Sequence, residues 1–329
     1  MPTRRRALLI LAALAGLALG CIALALMVGS MPISPVEVLS ALIDQGAGVA
    51  GEVVRNLRLP RALTGFACGG LLALAGALLQ VLLRNPLADP YVLGISGGAG
   101  IGALLAIVGG LGVAGINGLA FAGALGSMLL VFGLAHGDGG WTQSRLLLTG
   151  VIVAAGCGAV VTLMLAVAPE DRLRGMLFWL MGDLSQTGDP QLALIVLAGV
   201  LLLALPFARE LNLLARGADV AQALGVAVRP LRRGVYFVAS LATAVAVTHA
   251  GAIGFIGLIV PHVVRLAAGN DQRLLLPASV LAGGSLLVIA DTLARTMLAP
   301  QQLPVGVLTA LIGVPVFLFL LTRASPGRR

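Results

Sequence analysis

Long apolar stretches, closed off by glycine, proline or arginine, recur along the chain. Ten of them approach or exceed the ~20 residues that carry an α-helix across a hydrocarbon core. They run over 7–28, 62–83, 92–109, 114–135, 146–168, 190–207, 232–249, 254–268, 274–294 and 304–322. Glycine and proline blur the pattern at the third, fourth and eighth. Nothing between them reads as a strand of a soluble protein. The pattern predicts an all-α, polytopic membrane protein of about ten transmembrane helices, with residues 1–329 as one transmembrane domain.

Three polar connections interrupt it. Residues 29–57 carry Pro32, Pro35, Glu37, Asp44 and Glu52, and lead into Arg58-Leu59-Pro60-Arg61. Residues 170–189 hold a charged stretch followed by Met176-Leu177-Phe178-Trp179-Leu180-Met181, too short to span. That run reads as an interfacial or re-entrant helix anchored by Trp179. Residues 208–230 form the longest connection on the opposite side, predicted as two short helices broken near Gly217. A polar elbow of this kind offers a grip to a motor subunit.

Charge sets the orientation. All 21 basic residues are arginine, and positive loops face the cytoplasm. An even number of spans puts both termini on one side. Arg4-Arg5-Arg6 at one end and Arg323, Arg328 and Arg329 at the other assign that side to the cytoplasm. Arg84, Arg145, Arg216, Arg229, Arg232, Arg233 and Arg273 fall on the same side. The N-terminal triplet imitates a secretory signal, but the 22-residue run that follows exceeds an h-region of about 7–15 residues. It is predicted as a retained first span. Arg55, Arg58, Arg61 and Arg295 oppose the bias and fall outside, so they call for a partner, and an acidic protein surface is the natural one.

Composition narrows the chemistry. With 59% hydrophobic and 10% charged residues and a mean hydropathy of +1.06, a soluble globular domain is excluded. The 45 glycines suit closely packed membrane helices. Cys21, Cys68 and Cys157 lie in apolar runs and form neither a disulfide framework nor a metal site. Without lysine there is no phosphate-binding P-loop, so any ATP and Mg belong to a separate ATPase and this chain binds no cofactor. Gly94-Ile95-Ser96-Gly97-Gly98 imitates a nucleophile elbow, and Gly98-Ala99-Gly100-Ile101-Gly102-Ala103 a dinucleotide fingerprint. Both lack their strand context and read as close helix packing. His136, His249 and His262 have no metal-ligand spacing. Asp183, Asp189 and Asp291 sit near span ends, where water or arginine can satisfy them, and the mid-span regions hold no acid. That argues against an ion-coupled secondary transporter. No nucleophile–base pair survives for an intramembrane enzyme, and no nucleic-acid partner is expected.

Certain longer stretches are more specific. They are Leu57-Arg58-Leu59-Pro60-Arg61, Asn85-Pro86-Leu87-Ala88-Asp89-Pro90 with Leu93-Gly94-Ile95-Ser96, Phe178-Trp179-Leu180-Met181-Gly182 and Ala223-Leu224-Gly225-Val226. To these add Gly251-Ala252-Ile253-Gly254-Phe255 running on through Pro261-His262 to Arg265, Asp291 to Arg295, and Leu303-Pro304-Val305-Gly306. Together they resemble the permease family of type II ABC importers for cobalamin, heme and iron-siderophores. The resemblance implies a homodimer of ten-helix permeases in the bacterial inner membrane. It also implies two ATP-binding cassette subunits inside and a periplasmic substrate-binding protein that docks outside. It assigns docking to Arg58, Arg61 and Arg295, and ATPase coupling to the elbow over 211–225, with Leu211, Asp219, Ala223, Leu224 and Gly225. The pathway is expected from the fifth span (around 148–158), the re-entrant segment and the tenth span. Heme is the first expected cargo, then an iron-siderophore, then cobalamin. His262 is expected to make a structural hydrogen bond; for His249, at an outer helix end, a contact to an iron-porphyrin is only the minor alternative. Two positions depart from the family: Ala252 stands for a proline, and Gln302 for a glutamate with consequences for the charge near Arg295.

Overall fold

The computed structural model describes residues 3–43, 48–135, 142–185 and 188–323. Asp44, His136, Arg328 and Arg329 lie outside the described residues. Each of the ten predicted stretches carries a helix. The first is α1 (Arg4–Met27), whose Thr3 hydroxyl accepts the Arg6 N–H at its start. Helix α2 (Pro35–Ile43) opens with a proline at its first position. Ser34 and Glu37 cap it reciprocally: the Ser34 N–H donates to Glu37 Oε2 at 2.8 Å and the Glu37 N–H to Ser34 Oγ at 3.3 Å. Helix α3 (Gly48–Glu52) runs through a π-helical turn (Val53–Arg58) into α4 (Leu59–Leu82), a continuous rod of 35 residues. Pro60 has no N–H to donate one turn back, and the widened turn stands just before it.

After a 3₁₀ turn (Pro90–Leu93) come α5 (Ile95–Val108), α6 (Val113–Leu134), α7 (Gln143–Ala166), α8 (Glu170–Leu180) and α9 (Gln191–Ala204). A second 3₁₀ turn (Leu205–Phe207) leads to α10 (Ala208–Arg216), α11 (Ala218–Ala223), α12 (Val228–Ala250), α13 (Ile256–Ala268), α14 (Gln272–Ala294) and α15 (Val305–Arg323). Among the described residues six helical stretches are long and apolar enough to cross a membrane, and Ile95–Val108, Ile256–Ala268 and Val305–Leu320 are shorter apolar helices. At 1.5 Å per residue α5 and α13 reach about 20 Å, short of the ~30 Å hydrocarbon core. Helix α12 carries Arg229, Arg232 and Arg233 in its first turns.

Helix α4 is the axis of the bundle, almost wholly buried among α9, α12, α13 and α14. Small residues make that possible. A methyl group added at Gly69 would strike the Gly283 carbonyl of α14, and one at Gly76 the Gly257 carbonyl of α13. Backbone therefore lies on backbone, the packing that membrane helices achieve where the hydrophobic effect cannot drive association. Helices α5 and α6 form a second such pair. Gly98 and Gly102, one turn apart, face the carbonyls of Gly123 and Leu119. The glycine run that imitates enzyme motifs is thus a helix-packing face, as the sequence predicts.

Candidate functional site: an arginine cluster, a junction and an elbow

The arginines predicted to lie outside gather where α1 ends, α4 begins and α14 ends. Arg58 is 6% exposed. Its Nη1 donates to the carbonyls of Leu26 at 2.7 Å and Met27 at 3.1 Å, and its Nη2 to Met31. Arg295, at the C-cap of α14, donates from Nη2 to the Ala25 carbonyl, while its Nε is buried without a partner. Helix α1 has no basic residue in its own last turn. Two guanidiniums from elsewhere in the chain therefore meet the carbonyls that a helix C-terminus leaves unpaired, and its negative dipole end.

Arg61 behaves differently. Nε and Nη2 grip Asp291 side-on, at 2.9 Å to Oδ2 and 2.8 Å to Oδ1, and Nη1 donates to Gln302 Oε1 at 2.9 Å. The two charged side chains are 14% and 7% exposed. Asp291 and Arg295 stand four residues apart at the end of α14, a spacing that would allow them to pair. The structure gives that carboxylate to Arg61 instead, 230 residues distant, because Arg295 turns toward the end of α1. The departure at Gln302 likewise bears on Arg61, with which it bonds, and not on Arg295. Glu52 accepts from Asn56 at 3.3 Å, and Arg55 donates to the Ala41 carbonyl at 3.2 Å.

Deeper in the bundle, four of the specific stretches converge on one junction. The Asp183 N–H donates to the Ala250 carbonyl and the Val305 N–H to Gly182, each at 3.0 Å. The Ile253 N–H donates to the Tyr91 hydroxyl at 2.9 Å. Gly182 (φ 81°) and Gly251 (φ 69°) hold left-handed backbone there. A side chain at Gly251 would meet the Trp179 carbonyl, and one at Gly306 the Met181 carbonyl. Beside the junction lies a cavity of about 520 Å³ lined by Trp179, Phe178, His249, Arg172 and Arg174 among others. His249 Nδ1 is 3.0 Å from the Val245 carbonyl. The structural hydrogen bond expected of His262 is not made at Nδ1, which is buried without a partner. The carbonyl one turn back, that of Leu258, accepts from Gln80 Nε2 at 3.2 Å instead.

At the opposite end, α10 and α11 meet at Gly217 (φ 138°), where the sequence predicts a break. Leu211 is buried and anchors the elbow in the core, whereas Asp219, Ala223, Leu224 and Gly225 are exposed at its tip. Leu224, a large apolar side chain, is 62% exposed, and Gly225 sits at φ 83°. Two bonds tie the elbow to the start of α14: Asn212 Nδ2 donates to Asp271 Oδ1, and the Gln272 N–H to Asn212 Oδ1, both at 2.9 Å. Nothing in the spacing of Asn212 and Asp271, 59 residues apart, announces that link.

Comparison with known proteins agrees with this architecture. The model of the FecCD transport family matches residues 9–323. The cobalamin import system permease protein BtuC of Halobacterium salinarum is 47% identical over 277 residues, covering 83% of this chain and 74% of that protein. The hemin transport system permease protein HmuU of Yersinia pestis is 41% identical over 284 residues, covering 83% and 84%. A solved metal-chelate type ABC transporter in an inward-facing conformation superposes with a TM-score of 0.85 at 31% identity, covering 95% of this chain and 99% of its own.

Proposed function

The chain belongs to the FecCD transport family and is an ABC importer permease, and from that premise we propose that it moves heme inward across the bacterial plasma membrane by alternating access. In this reading ten helices cross the membrane with both termini in the cytoplasm, and two copies form the pathway. Two ATP-binding cassette subunits bind ATP and Mg and grip the elbow through Asp219, Ala223, Leu224 and Gly225, with Leu211 as its anchor. A periplasmic binding protein docks on the cluster of Arg58, Arg61 and Arg295. Arg61 is the exchangeable member, since Arg58 and Arg295 are committed to the end of α1. This chain performs no covalent chemistry.

The observation that carries the importer reading is the exposed elbow, an apolar tip on two short helices fixed to the transmembrane body. Heme is supported by the cavity beside the junction, which offers Trp179, Phe178, His249 and Arg174 to a flat, anionic iron porphyrin, while Arg172 pairs with Asp171 and Asp183 completes a lining of mixed charge. Cobalamin is the second reading, favoured by the 47% identity to a permease named for it. The test is ATP-driven uptake into proteoliposomes holding this chain with its ATPase, offered heme, a ferric siderophore or cobalamin, each on its binding protein. Uptake of heme alone is expected. Uptake of cobalamin alone would replace the cargo, and an assembled, ATP-hydrolysing complex that imports none of the three would overturn the reading.

A further inference from the structure

A cavity of about 850 Å³ lies between the start of α1, the end of α4, α10 and the turn from α13 to α14. Arg6, Arg84, Arg216 and Arg265 line it, with Asp271 as the one carboxylate. That carboxylate is already held, accepting from Asn212 Nδ2 at 2.9 Å and from the Arg273 N–H at 3.1 Å. The ion pairs found among the described residues, Arg61–Asp291 and Arg172–Asp171, involve none of the four guanidiniums. Arg265 bonds a neutral group, Gln80 Oε1 at 2.8 Å. Gln272 also lines the cavity; it is 2% exposed and its Oε1 has no partner. Four like charges around one cavity repel one another and call for an anion, and the guanidinium fork fits phosphate oxygens.

The surroundings identify the source of that anion. Helix α1 packs one face on α14 and is otherwise largely exposed. Leu8 and Leu9 of its first turns and Leu266 beside the cavity are exposed apolar side chains. The cavity thus stands where the apolar perimeter of the bundle begins, at headgroup depth, next to the elbow. We propose that it is a binding site for an anionic phospholipid, with the phosphate among the four arginines and a glycerol hydroxyl of the headgroup donating to Gln272 Oε1. Basic pockets between helices at this depth are suited to such headgroups. The inference rests on the chain spanning a membrane and not on its cargo or direction, so a failed uptake experiment leaves it standing.

The full-length chain in detergent, incubated with phosphatidylglycerol or phosphatidylcholine, would be assayed for retained lipid by native mass spectrometry. Phosphatidylglycerol is expected to be retained in preference. Arg6→Gln, at the start of α1, should lower retention about fivefold, and Arg84→Gln with Arg265→Gln roughly 30-fold, at ~1 kcal/mol per arginine. Unchanged gel-filtration behaviour would show the variants folded; if the double variant unfolds, Arg6→Gln alone decides. Equal retention of the two lipids, or retention unaffected by Arg6→Gln, would overturn the proposal. So would full displacement of the lipid by millimolar inorganic phosphate, which would make the ligand a soluble anion. Loss of the lipid on assembly with the ATPase would likewise give the arginines to acidic groups of that subunit.

Discussion

Replacing Asp291 with asparagine separates what Arg61 does for the fold from the docking role proposed for it. The side-on pair of 2.8 and 2.9 Å bonds is largely shielded from water. Removing one partner of a buried pair costs about 3–5 kcal/mol. Asparagine keeps one acceptor oxygen and Gln302 still holds Nη1, so the expected loss for Asp291→Asn is roughly 2–3 kcal/mol. Denaturation of Asp291→Asn, Arg61→Gln and the double variant would measure the coupling, expected at about 2 kcal/mol. Strictly additive losses would mean the pair contributes nothing.

Docking should respond with the opposite sign in the two single variants. Arg61→Gln removes a cation from the outer cluster and should weaken binding-protein affinity about tenfold, or ~1.4 kcal/mol. Asp291→Asn frees the same guanidinium for a carboxylate on the partner and should strengthen it. Titration of labelled binding protein onto permease in nanodiscs, at low and high salt, reads both. If neither variant shifts the affinity although both destabilise the fold, Arg61 is a structural residue and the docking assignment fails.

Other consequences follow from local geometry. Gly76→Val should abolish folded yield, because its Cβ meets the Gly257 backbone, whereas Gly199→Ala, with open space around it, should stabilise by about 0.5–1 kcal/mol; gel filtration and thermal melts compare the two. The Ser34 N–H holds the Glu37 carboxyl below its ordinary value of 4.5. A depressed carboxyl stabilises the cap fully above that value and loses the effect as pH falls through the lower, folded one. Amide protection factors in α2, taken against the intrinsic exchange rate at each pH, should therefore fall in acid, and Glu37→Gln should flatten that dependence. Leu224→Glu should leave binding-protein docking intact while ATP hydrolysis continues without matching transport; coupled transport in that variant would remove the elbow from the mechanism.

The helices were legible because apolar length is a one-dimensional property, written in consecutive residues. Gly217 marked its break for the same reason: a left-handed or extended glycine between two short polar helices is a local signal. The arginines show where that reasoning stops. Their polar character at the helix ends was legible, but their partners were not, since Arg58 meets Leu26 and Arg61 meets Asp291 across 32 and 230 residues. Local spacing even pointed the wrong way, as an acid and a base four apart on a helix imply a pair that Asp291 and Arg295 do not make. Tertiary choices of this kind depend on which orphan carbonyls lie nearby, and the unfilled end of α1 outcompeted the carboxylate for Arg295.

The glycine contacts also restrict how such a bundle can change state. Helix α14 is tied at one end to the elbow through Asn212 and at the other to α1 and α4 through Arg295 and Asp291. Between them Gly283 and Gly284 rest on Gly69 and Phe66, with no room for one methyl group. Sliding α14 along α4 would drive backbone into backbone, so α1, α4 and α14 should move as one body about 35 Å long. Helices α5 and α6, locked by Gly98, Gly102 and Gly123, make a second. Helix α12 lies between the two bodies, packed on α4, α5 and α6, and rotation between them falls on linking residues whose dihedrals have freedom, such as Gly94, at positive φ where the chain enters α5. Spin labels at the exposed Leu19 of α1 and Leu293 of α14 should hold their separation through the ATP cycle. A label pair at Leu19 and Leu130 of α6 should change by more than the ~1–2 Å of a simple helix shift. The reverse pattern would mean that the glycine seams are the sliding surfaces and not the locks.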